Sequence, residues 1–481
     1  MLFDVLIVGG GVVGCAIARE FSRYALKVCL LENEADVSCG TSGANSGVVH
    51  SGLKEPSGTL KALYCVEGNA LFPALCEELN VLFRRCGTLV VAVSEGEVEG
   101  LEGEFAQAEK NGVVGVRRLS RQEVSAMEPN VSAMEGVFAP TGGIVSPYEL
   151  TIALAENAFE NGVKMGLNAE VTGITRKNGL FKVSSSRGSY SARIVVNSAG
   201  VSARKVARMV GIERKTYECR GEYCILDKRV SGVISRMVYP VPPKRVGGFG
   251  VHLTPTIHGN LLIGPSDEYV EDGSNLATTR GKLRELLDGA KRLVPSLDVK
   301  SAIHEYAGMR AKIVAEGSKK RGDFKIEDID GFINLLGIES PGLTAAPRIA
   351  QHVRELVEGQ IELKAKESFN PKRKGITRFD ALSLKEKSAF VKENPNYGEI
   401  VCRCENVTRQ EVIDALNNPL GVKTLKGVKY RVRSLMGRCQ GGYCLPKIVD
   451  IMREEGIEPK DITLKGEGSG LFIGDTKCLL K

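Results

Sequence analysis

The sequence predicts an α/β protein, α+β overall: a doubly wound domain with an inserted mixed β-sheet, followed by a small helical domain. Three observations carry this. The chain opens on a strand, glycine turn, helix and second strand; two later segments repeat the strand-to-helix form; and four cysteines crowd the C-terminal region.

The opening, "FDVLIVGGGVVGCAIAREFSRYALKVCLLEN", places a glycine cluster between an apolar run and a helical pattern, and its second apolar run ends at Glu32. This is the Rossmann-like dinucleotide-binding unit. Gly9 permits the sharp turn, Gly11 lets backbone amides approach a pyrophosphate, and Gly14 lets helix and strand pack closely. Glu32 is the expected ribose ligand, and the helix turns its positive dipole end toward the phosphates.

The fingerprint alone serves NAD and FAD equally. The second segment, "ARIVVNSAGVSARKVARMVG", is an apolar strand ending at Ala199 and Gly200 and passing into a helix. The third, "GFINLLGIESPGLTAAPRIAQHVREL", turns at Pro341, Gly342, Leu343 and Thr344. Three such turns on one sheet meet a long ligand at several points, which suits extended FAD; taken singly, each is also an ordinary doubly wound turn.

Composition narrows the function classes. The 481 residues are 43% hydrophobic and 26% charged, ordinary for a globular chain of two or three domains. The net charge of +7 is spread along the chain, which gives nucleic-acid binding no basic arm and suits a small anionic substrate. An odd 13 cysteines at irregular spacing, without an apolar leader, argue against a disulfide scaffold and for a reducing cytoplasm. The longest uncharged apolar run, Val5 to Ala18, is too short to span a membrane. Attachment to a membrane through a partner stays open.

Cys402 and Cys404 leave one residue between them, and Cys439 and Cys444 leave four, with helical patterns between and after the pairs. Four thiolates on tight loops, the second made supple by Gly437, Gly441 and Gly442, suit a [2Fe-2S] cluster; structural zinc is the second reading of the spacing. Oxidising a carbinol releases two electrons together, whereas such a cluster takes one at a time. A flavin converts between the two, so the cysteine domain makes sense downstream of FAD.

The three strand-to-helix segments, in this order, resemble the glycine/D-amino-acid oxidase superfamily of flavoproteins. Within it, "GANSGVVHSGLKEPSGTLKALYCVEGN", "RGEYCILD", "GVHLTPTIHGNLLIGPSDE" and "YAGMRAK" look most like two groups, the L-2-hydroxyglutarate dehydrogenases and the bacterial FAD-dependent glycerol-3-phosphate dehydrogenases. Residues 399–458 are similar to the bacterioferritin-associated ferredoxin type of [2Fe-2S] domain, which follows a flavin domain in the anaerobic glycerol-3-phosphate enzyme. At the last flavin turn the glycerol-3-phosphate enzymes carry Gly-Lys-Leu-Thr. Here the turn reads "SPGLT", closer to the hydroxyglutarate form.

The resemblance implies further site residues. It sets Ser42, Asn45, Ser46, Val171 and Gly308 against the flavin, and Cys402, Cys404, Cys439 and Cys444 as cluster ligands. His50 follows the loop that lies on the flavin, and His252 and Thr254 sit on a strand like one lining the substrate pocket. Of the five histidines these two are the candidate base and its orienter, in either order. His258 reads as an exposed hairpin turn, His304 has no clear role, and His352 reads as a helix surface residue. Arg310 stands where the family binds a carboxylate or phosphate. Lys61, Arg220 and Tyr223 are weaker candidates for the substrate.

The expected organisation is a flavin domain over 1–365, with its FAD part in about 1–85, 146–212 and 306–365 and its substrate part in about 86–145 and 213–305. A charged, proline-marked connector over 366–398 with little core of its own leads to the cysteine domain at 399–458. The tail at 459–481 could form a hairpin, and Cys478 is a bystander. The functional expectation is oxidation of sn-glycerol 3-phosphate to dihydroxyacetone phosphate, the hydride passing to flavin N5 and electrons leaving through [2Fe-2S] to a partner subunit, quinone or other carrier. The rivals are L-2-hydroxyglutarate or another hydroxy or amino acid as substrate, a non-catalytic electron-transfer subunit, and an oxidase using oxygen directly.

Overall fold

The computed structural model describes residues 2–241, 250–314, 322–472 and 474. Cys478 and the last part of the tail lie outside the described residues. Within them no helix is long and apolar enough to cross a membrane.

The strand Leu2–Val8 is buried almost throughout, as a central parallel strand covered on both faces must be. It pairs in parallel with Val28–Leu31 on one side and Gly188–Asn197 on the other. Lys164–Gly166 extends the sheet beyond Val28–Leu31, and Phe332–Leu336 joins the second half of Gly188–Asn197. The helices Val12–Phe21, Leu60–Glu78, Pro147–Glu160 and Gly342–Glu358 share one apolar core with this sheet.

A nine-stranded mixed sheet stands beside it, drawn from Thr88–Ala92, Arg117–Ser120, Glu135–Ala139 and six strands between Tyr217 and Lys312. Ala302–Lys312 pairs with Tyr217–Leu226, so residues 306–312, read above with the FAD part, are also a strand of this second sheet.

Residues 366–398 run along the first domain. Lys366 donates its backbone N–H to Arg23 O at 2.8 Å, and Arg373 meets Glu156 at 2.5 Å. They add one helix, Leu384–Glu393, capped by Ser383 and without a buried residue. The cysteine domain follows as a small hairpin, Ile400–Cys402 with Val407–Thr408, and the helices Arg409–Leu416, Leu425–Val432 and Leu445–Glu454 around a core that includes Val401, Val412, Val428 and Ile448. Beyond it, Thr463 bridges Gly470, the start of the expected hairpin.

Candidate active site and cysteine centre

A cavity of about 820 Å³ opens between the two sheets. Of the residues read as cofactor-binding, Gly9, Gly11, Glu32, Ser42, Asn45, Ser46, Val171, Ala199, Gly200, Gly308, Pro341, Gly342 and Leu343 line it. Gly14 and Thr344 lie behind its wall. A Cβ on Gly14 would stand 2.0 Å from Gly9 O, so its role is the close helix-to-strand approach. Thr344 is fully buried and accepts the His50 backbone N–H at 2.9 Å, which ties the third turn to the histidine loop.

The cavity end formed by the glycine turn fits a dinucleotide. Gly9 has φ +107°, reachable cheaply only without a side chain. Glu32, at the end of the second strand, accepts the N–H groups of Gly10 at 2.5 Å and Glu34 at 3.0 Å. Burial raises its pKa against those hydrogen bonds. Ser42 accepts the Val12 N–H at 2.9 Å, joining the cofactor loop to the helix start. All three strand-to-helix turns reach this one space, as an extended ligand requires.

The other end faces the second sheet. His252 is 3% exposed, its ring lies 4.2 Å from that of Tyr239, and neither ring nitrogen has a hydrogen-bond partner among the described residues. Burial, reinforced by His50, pushes its pKa down to about 3, so the ring is neutral. His50 borders the same space, its Nε2 3.2 Å from Ser340 Oγ. Ser340 escaped the sequence reading, although it opens the quoted "SPGLT" turn.

Arg310 and Lys312 alternate on one strand and therefore share a face. Arg310 Nη2 donates to Ser266 O at 2.8 Å and Asp267 Oδ1 at 3.1 Å, while its Nε has no partner among the described residues. Lys312 Nζ donates to the same Asp267 Oδ1 at 2.8 Å. Burial works against the charge on Asp267, but the two cations hold its pKa below the ordinary carboxylate value. Lys312 and Asp267 were also missed; only strand alternation from Arg310 pointed to the lysine. Tyr223 lines the cavity, stacked on Tyr306 at 4.8 Å.

Three substrate candidates stand outside the cavity wall. Lys61 is 2% exposed and is engaged by Glu339 at 2.9 Å and Gly322 O at 2.7 Å. Its partner Glu339 does line the cavity. Arg220 alternates away from Tyr223 and pairs with Glu268 at 2.7 Å and Glu222 at 3.7 Å. Thr254, two residues beyond His252, is fully buried in the sheet. Among the remaining histidines, His258 is no exposed turn: its Nε2 lies 2.7 Å from the buried Glu149 carboxylate. His304 is part of the strand Ala302–Lys312, and His352 is half-buried against Tyr64.

The four C-terminal thiols form two pairs. Cys404 and Cys439 have their sulfurs 3.7 Å apart, and the Cys444 thiol hydrogen-bonds Cys402. That bond, with backbone N–H groups, lowers the Cys402 pKa to about 6. Backbone N–H groups, Tyr443 first, lower that of Cys439. Among the described residues no three His, Cys, Asp or Glu side chains converge on one ion position. Two thiol pairs edged by backbone donors match a [2Fe-2S] centre, in which each iron takes two cysteines, better than one tetrahedral zinc. Gly437 is needed for space, because a Cβ there would lie 2.1 Å from Cys404 Cβ.

Comparison with known proteins agrees with both sites. The model of the FAD dependent oxidoreductase family matches residues 4–356, and that of the BFD-like [2Fe-2S] binding domain matches residues 400–454. A glycerol 3-phosphate dehydrogenase of Caloramator mitchellensis is 42% identical over 484 residues, covering 99% of each chain. An L-2-hydroxyglutarate dehydrogenase of Escherichia coli is 30% identical, covering 74% of this chain and 93% of its own. The solved structure of L-alpha-glycerophosphate oxidase from Mycoplasma pneumoniae, with FAD bound, superposes with a TM-score of 0.73 at 31% identity, covering 78% of this chain and 98% of that one. With its cavity, its paired thiols and these relatives taken together, the chain belongs to the FAD-dependent oxidoreductases of this family and carries a BFD-like [2Fe-2S] domain at its C-terminal end.

Proposed function

We propose that the enzyme oxidises sn-glycerol 3-phosphate to dihydroxyacetone phosphate and passes the electrons through its cysteine domain to a separate acceptor, a partner subunit or carrier. The observation that carries this reading is the cation pair Arg310 and Lys312, which faces the same cavity as His50 and His252. A phosphate needs cationic donors, and the guanidinium fork with a neighbouring ammonium supplies them. The full-length relative named a glycerol 3-phosphate dehydrogenase supports the substrate.

The roles divide by environment. His50, steadied by Ser340 and by its backbone bond to Thr344, accepts the proton of the substrate hydroxyl. His252, whose charged form is disfavoured by burial, stays neutral and orients that hydroxyl. Asp267 holds Arg310 and Lys312 in place for the phosphate. FAD, which the glycine turn from Gly9 and Glu32 would hold at the far end of the cavity, would supply a two-electron acceptor, and a [2Fe-2S] centre on Cys402, Cys404, Cys439 and Cys444 would supply a one-electron relay.

Oxidation of L-2-hydroxyglutarate is the second reading, favoured by the turn at Ser340 to Thr344 and served by the same cations through a carboxylate. An anaerobic visible titration with each compound decides. Bleaching of the flavin band by glycerol 3-phosphate alone is expected. Bleaching by L-2-hydroxyglutarate alone would replace the first reading with the second.

A further inference from the structure

The helix Leu425–Val432 of the cysteine domain lies against the segment 36–46 of the first domain, whose residues from Cys39 onward border the FAD cavity. Arg431, its side chain 1% exposed, donates from Nη1 to Asp36 Oδ2 at 2.6 Å and from Nη2 to Asp36 Oδ1 at 3.2 Å. Its Nε donates to Glu156 Oε1 at 3.3 Å, on the helix Pro147–Glu160. One residue earlier, Tyr430 donates to Gly43 O at 3.4 Å and stacks on Tyr148 at 4.5 Å. Lys426, one helical turn before Tyr430, reaches Cys39 O at 3.5 Å.

The gripped segment is fastened at its other side to the cofactor machinery. Ser38 donates its N–H to Gly10 O at 3.0 Å, and Ser42 accepts from Val12 at 2.9 Å. The same helix packs into the cysteine domain: Val428 and Val432 share a core with Cys402 and Cys444, and Arg433, just past its end, meets Glu405, next to Cys404, at 2.9 Å. One short helix therefore connects two sites that belong to different domains.

We propose that the cysteine domain completes the FAD site in cis, with Arg431 as a positioning residue, so that FAD affinity and iron loading of the four cysteines are linked. The physical basis is preorganisation: a cofactor loop already held by a buried bidentate ion pair costs less to order when FAD binds. Metal binding fixes the fold that presents Arg431, and linkage then makes the coupling reciprocal.

The test uses the full chain. FAD dissociation constants are measured by recovery of free-flavin fluorescence for the wild type, Arg431→Met and Glu156→Gln. Iron release to a chelator is followed with and without FAD. Arg431→Met should weaken FAD by about tenfold or more, the usual span of site-to-site coupling. Glu156→Gln loses a buried carboxylate of the same cluster but leaves the grip on Asp36, and should hold FAD as the wild type does. FAD should slow iron release in the wild type and not in Arg431→Met. Equal loss of FAD in both variants would reduce Arg431 to general stability and overturn the proposal. Should Arg431→Met fail to fold, the wild type alone decides: equal FAD affinity in iron-loaded and iron-stripped chains refutes the link.

Discussion

Arg310 and Lys312 converge on one oxygen, Asp267 Oδ1, at 3.1 and 2.8 Å. Two cations on one carboxylate leave a net positive charge facing the cavity, and each has donors to spare for an anion. Lys312→Met should raise KM for the phosphorylated substrate about tenfold, the worth of one charge-assisted hydrogen bond, with little change in kcat. Arg310→Lys should cost more, because the fork geometry goes as well as the position of the charge. Steady-state kinetics on both variants check this, and an unchanged KM in both would remove the cations from substrate binding.

His252 gives an acid-stability prediction whose sign can be worked out. Its folded pKa, about 3, lies below the ordinary 6.5. Between those values the unfolded chain binds a proton that the folded chain does not. The resulting stability is complete above pH 6.5 and falls by about 1.4 kcal/mol per pH unit as the medium is acidified toward the folded pKa. His252→Asn should flatten the loss of stability between pH 6.5 and 4.5, seen in denaturant melts at each pH. The same variant should slow anaerobic flavin reduction at neutral pH, since the orienting ring is gone.

Lys61 separates a structural cation from a substrate-binding one. It is sealed against Glu339, and each side chain is 2% exposed. Removing one partner of such a pair strands the other, at a cost of about 3–5 kcal/mol. Lys61→Met should therefore lower Tm sharply, Lys61→Met with Glu339→Gln should recover much of it, and KM should stay near the wild-type value in the double variant. A raised KM with Tm intact would return Lys61 to the substrate.

What the sequence made legible follows from how local each signal is. The glycine turn at Gly9 to Gly14 was readable because one backbone geometry demands glycine, a turn at φ +107° and a helix within contact of a strand. Cys402, Cys404, Cys439 and Cys444 were readable because ligand spacing is itself a sequence quantity. Arg220 and Lys61 were misplaced because a charged residue near a motif says nothing of which way its strand or helix faces. Arg220 lies one residue from the glycine before Glu222 and three from Tyr223, and alternation turns it out of the cavity. Asp267, Ser340 and the Arg431 to Asp36 pair were invisible because their partners come from distant segments, 395 residues apart in the last case.

The two thiol pairs predict how the centre responds to losing single ligands. Cys402 and Cys444 are buried, whereas Cys439 is exposed and Cys404 half-buried, so one pair is sealed inside the domain and the other meets solvent. Each of the four Cys→Ser variants should lose iron, because a two-iron cluster needs all four thiolates. The buried variants should also lose thermal stability, since Cys402 and Cys444 pack in the domain core, while Cys439→Ser should keep the wild-type Tm of the iron-free chain. Iron analysis of the purified wild type should give two irons per chain, and zinc in their place would overturn the cluster assignment. With FAD saturating, all four variants should still bleach the flavin with substrate at the wild-type rate and fail only in reducing a one-electron acceptor. A slowed bleaching step in every variant would instead mean that the cysteine domain shapes the substrate end of the cavity.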